Sequence, residues 1–356
     1  MPRPRPLPLR DGVDPVRIRL ADPGRGPRSI PEELRRRFPE RRAELDAALA
    51  AGEVVTADGT PVTERTPRHR GMDVWTYRAP EPEEPVPFDV EVLHRDERVV
   101  VVDKPHFLAT TPRAGHVTET ALVRVRRALG VDTVVPAHRL DRLTAGVLLF
   151  VVDPAHRGAY QELFAARRVH KTYLAIGPAP EGTPVERERH SRIHKTRGVL
   201  QAAEIPGEPD AHSRVTLLDT ATAPDGTRLG LYRLVPTTGR THQLRVHMAA
   251  LGTPILGDDL YPEVLPQTAG DHSRPLQLLA ESLSFTDPVD GSARVFRSRR
   301  RLDAWPGPRP DPPPDPEQPD RGADQGPPRS AGEPGGAPWR APGASAPSEC
   351  GPPHEE

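Results

Sequence analysis

The chain has 356 residues, 35% of them hydrophobic and 47 of them proline, with a formal net charge of −1. That length suits two modest domains or one large domain with appendages, and the proline content excludes close packing throughout. The lone cysteine, Cys350, excludes an internal disulfide and a cysteine-built metal site, and no run approaches the ~18 apolar residues of a membrane helix.

Residues 1–29 are rich in Pro, Arg and Gly without periodicity and lack the apolar stretch of a secretion signal, so a flexible N-terminus is expected. Residues 30–79 read as a small α/β unit. Ile30 to Leu49 has helical spacing, Gly52 to Val55 and Gly59 to Val62 suggest short strands about the Asp58-Gly59 turn, and Val74 to Arg78 suggests a closing strand. Residues 80–89, with several prolines and three glutamates, read as a linker.

Residues 90–302 have the texture of one continuous α+β domain. Arg98 to Asp103 (RVVVVD) is a buried strand that Lys104-Pro105 ends. Thr118 is the expected N-cap of a helix through Leu129, stopped by Gly130. Val147 to Val152 (VLLFVV) is too short and too β-branched for a helix and reads as a core strand, after which Asp153-Pro154 opens a helix through about Arg168. Lys171 to Ile176, Ser213 to Leu218 and Arg228 to Val235 read as strands, and Thr241 to Leu251 as a helix ending at Gly252. Residues 303–356 carry 16 prolines and ten acids against four arginines, the composition of a disordered tail, and cutting the chain after Leu302 is expected to spare activity.

Without that tail the net charge becomes about +5, a mildly basic surface that suits a polyanion. Only three of the 49 basic residues are lysines (Lys104, Lys171, Lys195), for which codon bias is a sufficient explanation, so arginine abundance alone says little about nucleic acid. A soluble, cytoplasmic monomer with no membrane partner is expected.

Three clusters concentrate chemically capable residues. The first, His138-Arg139-Leu140-Asp141-Arg142-Leu143-Thr144-Ala145-Gly146, places an aspartate between two arginines just before a core strand. Such a carboxylate is expected to stay ionised, which suits a nucleophile or base; a salt-bridged loop is the plainer alternative. The second runs from Thr237 to Met248 (TTGRTHQLRVHM). On a helix, Thr241, Leu244 and Met248 would share a packing face while His242 and Arg245 present donors from another. His242 and His247, five apart, do not fit the i, i+4 spacing of a helical metal pair. In the third, Lys171-Thr172-Tyr173-Leu174-Ala175, a tyrosine follows a basic run; it fits a core position or a platform for an extruded base.

HRLDRLTAG followed by an apolar strand resembles the signature of the RluA-like pseudouridine synthases, and the other blocks follow in order. DERVVVVDKPHFL (96–108) resembles that family's entry strand, Arg168 to Ala175 its basic-then-Tyr strand, Thr237 to Tyr261 its second motif, and Leu278 to Phe285 its closing strand. The resemblance spans about Val90 to Arg297. It implies a central mixed, mainly antiparallel sheet flanked by helices, and isomerisation of specific uridines to pseudouridine in structured RNA, ribosomal RNA foremost and transfer RNA second, with no cofactor and no metal. It makes Asp141 the essential aspartate, Tyr173 the residue that stacks on the uracil, and Arg245 the ion-pair partner of Asp141. It makes Arg139 the side chain that helps extrude the nucleotide, with His138, Arg142, Arg240 and His242 as further RNA contacts.

Two positions depart from the family pattern: Ala145 replaces a serine or threonine, and Leu279 a histidine. Residues 30–79 are similar to the small ribosomal-protein-like RNA-binding domain often found ahead of this catalytic domain. Two other functions compete. A non-catalytic RNA-binding protein would have lost the aspartate or its partner, and a metal-dependent phosphoesterase built on His138, Asp141, His242 and His247 lacks closely spaced acidic ligands.

Overall fold

The computed structural model describes residues 5–22, 26–78, 82–113, 115–266, 268 and 270–311. The expected tail beyond residue 311 and the first two residues of the expected linker, 80 and 81, lie outside the described residues. Two compact units emerge, Met1–Pro85 with Ala109–Val134, and Val86–Leu108 with Val135–Glu356.

In the first unit, β1 (Val16–Arg19), β2 (Val55–Thr56) and β3 (Asp73–Thr76) form an antiparallel sheet in the order β1-β3-β2. Residues 16–19 are therefore a strand, in contrast to the expected flexibility of residues 1–29. Helices α1 (Ile30–Arg37) and α2 (Arg42–Ala50) contribute Ile30, Leu34 and Leu45 to a core shared with Leu20, Val54, Val62 and Val74. The single helix expected over Ile30 to Leu49 is broken because Pro39 disfavours helical backbone at Phe38, whose φ and ψ are −130° and 62°. The arginines of this unit are engaged within it: Arg35 with Asp46 and Glu64, Arg36 with Glu33, Arg41 with Glu44, and Arg19 with Asp73.

Helix α3 (Ala121–Leu129) also belongs to this unit and not to a continuous 90–302 domain. Its Arg126 is buried, and the guanidinium donates to the carbonyls of Val134 and Gly12 and to Asp14. A buried cation must keep its acceptors, so the helix stays with the segment that supplies them. Its N-cap is Thr120, whose Oγ1 accepts from the Val123 amide at 3.3 Å, while Thr118 donates from its amide and hydroxyl to Glu83. Gly130, at φ 64°, ends the helix as expected.

The second unit is built on one eleven-stranded sheet. Its strands are β4 (Glu91–Arg95), β5 (Val99–Lys104), β6 (Val135–Pro136), β7 (Ala145–Val151), β8 (Val169–Pro178), β9 (Glu186–His194), β10 (Ala203–Ile205), β11 (Ala211–Thr222), β12 (Arg228–Pro236), β13 (Leu278–Thr286) and β14 (Ala293–Arg297). The path is β10-β9-β11-β12-β8-β13-β7-β5-β4, with β14 on β13 and β6 on β7. Every pairing is antiparallel except β7 with β13, which is parallel over two residue pairs. The sheet is thus mixed and mainly antiparallel, flanked by α4 (Arg157–Ala165) and α5 (Gln243–Ala250).

β5 and β7 are apolar runs because both of their faces are covered, and every residue in them is buried. Tyr160 and Leu163 of α4 close one face over Val99, Val101, Val147 and Leu149. The chain remains packed past Leu302: Leu302, Ala304 and Trp305 join the cluster of Leu174, Ile176 and Leu279, and Arg309 donates to the Ser298 carbonyl at 2.6 Å. The boundary expected at 303 is therefore displaced, since residues 303–311 carry apolar groups that the sheet buries.

β7 and β13 meet at Gly146, where φ is 112° and a Cβ would lie 2.2 Å from the Ala280 carbonyl oxygen. Gly146→Ala should destabilise the protein by more than about 2 kcal/mol in urea unfolding; an unchanged midpoint would show that this contact is looser than described. A chain ending at Leu302 should unfold at a lower temperature than one ending at Asp311, and equal midpoints would count against the packing of 303–311.

Candidate active site

The loop from His138 to Thr144 enters β7 with Leu140 and Leu143 buried in the core, so Asp141 between them faces away from it. The Thr144 amide donates to the Asp141 carbonyl at 3.1 Å, closing a turn. Two side chains from the segment after β5 hold the loop from below. Lys104 Nζ donates to the carbonyls of Pro105, Leu108 and Arg142, the last at 3.3 Å, and His106 Nδ1 lies 2.7 Å from the Leu143 carbonyl. Lys104 is fully buried, and burial drives its pKa well below the ordinary value against the pull of the Asp141 carboxylate.

Asp141 opens onto a cleft of about 580 Å³ whose walls include Arg139, Lys171, Tyr173, Arg240, His242 and Arg245. Tyr173 reaches it from β8, where alternation places Lys171 and Tyr173 on the same face. Its backbone register is set by Ala280, which pairs with Tyr173 on one side and Gly146 on the other. Burial, then the Asp141 charge, pushes the Tyr173 hydroxyl above its ordinary pKa, so it stays protonated.

Arg245 departs from the expected ion pair with Asp141. Its guanidinium is clamped by Asp258 through Nε at 2.8 Å and Nη2 at 2.6 Å, and Nη2 also meets Asp259 at 2.9 Å. The loop after α5 supplies both acids, and Asp258 is fixed in turn by the amides of Leu260 and Tyr261. Burial opposes the Arg245 charge, but the hydrogen bond and charge of Asp258, then the charges of Asp141 and Asp259, hold its pKa above the ordinary value. Asp141 therefore acts on Arg245 through space while Asp258 and Asp259 position it. Tyr261 lies under the guanidinium, 5.3 Å from ring centroid to Cζ.

The expected RNA contacts divide. Arg139 is exposed on the cleft wall, and Arg240 lines it while held by Asp210, 3.3 Å from Nη2. His242 lines it with φ at 58°, its Nδ1 3.0 Å from the Tyr261 hydroxyl; burial lowers its pKa against the pull of Asp141. His138, expected as an RNA contact, is half-buried with its ring engaged by the protein. Its Nε2 accepts from the Leu149 amide at 3.1 Å, its ring stacks on Phe164 at 4.5 Å, and burial, with the Lys171 charge, lowers its pKa to about 3. Arg142, expected as an RNA contact, is half-buried outside the set that lines the cleft, and burial lowers its pKa against the charge of Asp259.

The phosphoesterase reading loses its ligands. His138 Nε2 is occupied by a backbone amide, His247 Nε2 lies 3.0 Å from Ser191 Oγ in a buried position, and among the described residues no group of acids, histidines and cysteines is arranged for a metal ion. Lys104 and His106, which fasten the loop, and Asp258 and Asp259, which hold Arg245, escaped the sequence reading. Only the Lys-Pro dipeptide hinted at the first pair, and it reads equally as a strand terminator.

His138, His106 and His247 all have folded pKa values, about 3, 4 and 4, below the ordinary 6.5. Each binds a proton more readily when unfolded, so the stability of the neutral forms is complete above about pH 6.5 and is lost as pH falls toward 4. His138→Gln keeps an acceptor for Leu149 and should flatten the loss of urea stability between pH 6 and 4; an unchanged slope would place the imidazole in solvent.

The family model for RNA pseudouridylate synthase matches residues 98–250. An uncharacterized RNA pseudouridine synthase of Synechocystis is 34% identical over 58% of this chain and 70% of its own length. Ribosomal large subunit pseudouridine synthase D of Xylella fastidiosa is 33% identical over 71% and 79%. Dual-specificity RNA pseudouridine synthase RluA of Haemophilus influenzae is 31% identical over 59% and 93%. With a cleft that Asp141 and Tyr173 share, these likenesses place the chain in the RluA-like family of pseudouridine synthases, enzymes that isomerise uridine in RNA.

Proposed function

We propose that the enzyme acts on specific uridines of structured RNA, ribosomal RNA foremost and transfer RNA second, and that the Asp141 carboxylate performs the chemistry on a nucleotide swung out of its helix. The relatives support the substrate classes by name: a ribosomal large subunit enzyme in Xylella, a dual-specificity enzyme in Haemophilus, and a mitochondrial tRNA pseudouridine(32) synthase in Saccharomyces cerevisiae that is 31% identical to this chain. The observation that carries the reading is the shared cleft, in which Asp141 acts electrostatically on both Tyr173 and Arg245.

Pseudouridine formation breaks the N1–C1′ bond, turns the uracil and joins C5 to C1′; the proton leaves C5 and N1 gains one, so every atom is kept. The protein must extrude the nucleotide, bring a carboxylate to the ribose and hold the detached base. Asp141 meets the ribose either as a nucleophile at C1′ or as a base at C2′. Tyr173 is the floor under the uracil, where stacking contributes ~1–3 kcal/mol per base. Its protonated hydroxyl adds no competing negative charge beside Asp141. Arg139 enters the space the nucleotide leaves, and Arg245, held by Asp258 and Asp259, keeps positive potential at the carboxylate without neutralising it by direct pairing.

Asp141→Asn should fold with an unchanged thermal midpoint and form no detectable pseudouridine on a transcript that the wild type modifies, read by carbodiimide mapping. Turnover within tenfold of wild type would remove Asp141 from the chemistry. The same mapping on total RNA with and without the gene names the uridine.

A further inference from the structure

Lys171 is a cation inside the cleft that has no carboxylate partner among the described residues. Its ammonium makes one hydrogen bond, to the Thr238 carbonyl at 3.1 Å, and the Thr238-Gly239 turn lies against it. Among the described residues no other side chain or carbonyl takes its remaining protons: burial lowers its pKa, and no acid there offsets that burden. The remaining cleft cations differ. Arg245 is clamped by two aspartates, Arg240 is held by Asp210, and Arg139 and Arg167 are exposed to water. A half-buried ammonium with spare donors is costly to keep unless an anion completes its shell.

Strand geometry says where that anion sits. Lys171 and Tyr173 project from the same face of β8, two residues and roughly 6.6 Å apart. A nucleotide's phosphate and base are separated by a comparable span. Resting on the reading above, in which Tyr173 carries the uracil, we propose that Lys171 binds one of the two phosphates flanking the extruded uridine, so that β8 grips a single nucleotide at its base and at its backbone. Lys171 is then a positioning residue: it sets how deeply the nucleotide enters, and Asp141 acts on what it delivers.

The test uses a synthetic stem-loop centred on the uridine found by gene-dependent mapping, with a neutral methylphosphonate placed at each flanking phosphate in turn. Lys171→Met, which keeps the apolar stem, should raise KM about tenfold with kcat retained at saturating RNA, and should lower the slope of log affinity against log salt by about 0.7. Lys171→Arg should restore the slope. One of the two methylphosphonates should weaken wild-type binding by a similar factor and leave Lys171→Met unaffected, because the contact is already gone. Fluorescence anisotropy with the Asp141→Asn protein gives the same coupling without turnover, so failed chemistry in the wild type would count against the proposed function and absent coupling against this inference. A collapse of kcat with KM and salt slope unchanged, or methylphosphonate costs that add fully to that of Lys171→Met, would overturn it.

Discussion

At residue 146 the backbones of β7 and β13 come too close to admit a side chain, and the placement of the active site depends on that approach. Ala280 of β13 is the shared neighbour of Gly146 and Tyr173. The loop bearing Asp141 ends two residues before that contact, and the strand bearing Tyr173 crosses the same layer from the other side. A carboxylate and an aromatic ring that are 32 residues apart in the chain are thereby fixed on opposite shoulders of one peptide. The parallel pairing of β7 with β13 covers only two residue pairs, enough to set register where a longer parallel ladder would have to displace the loop.

Charge is distributed around this core so that Asp141 lies among cations without being tied to one. Lys104 and His106 hold the carbonyls on its C-terminal side, Arg245 feels its charge but is clamped by Asp258, and Lys171 and Arg139 line the cleft it opens onto. Each buried cation raises the potential at the carboxylate, and each has its own acceptors or faces the substrate. A direct Arg245–Asp141 pair would have engaged the carboxylate that the proposed chemistry uses. Neutral His138 and the protonated Tyr173 hydroxyl complete a wall whose negative charge is concentrated at one residue.

Much of this was legible in the chain. RVVVVD and VLLFVV could only be core strands, and Asp141 and Tyr173 stand out because their neighbours match the blocks of a known family. The misplaced details share a cause: sequence shows which residues adjoin along the chain, whereas burial chooses partners across it. The family resemblance implies Arg245 as the partner of Asp141, yet the acids that hold it come from the loop 13 and 14 residues further on. His138 reads as basic until Leu149 is seen to use its lone pair. Thr118 is the cap expected on paper, but Glu83 takes its amide and hydroxyl and Thr120 caps the helix instead. The fate of residues 109–134 turned on the acceptors of Arg126, which lie in a segment whose composition suggested no structure at all.

A structure of the Asp141→Asn protein bound to a stem-loop containing its target uridine would test the account most directly. The account predicts the uridine outside its helix, uracil lying on the Tyr173 ring and C1′ facing the residue 141 side chain. A target base still stacked in the RNA, or a ribose more than a van der Waals contact from residue 141, would contradict it.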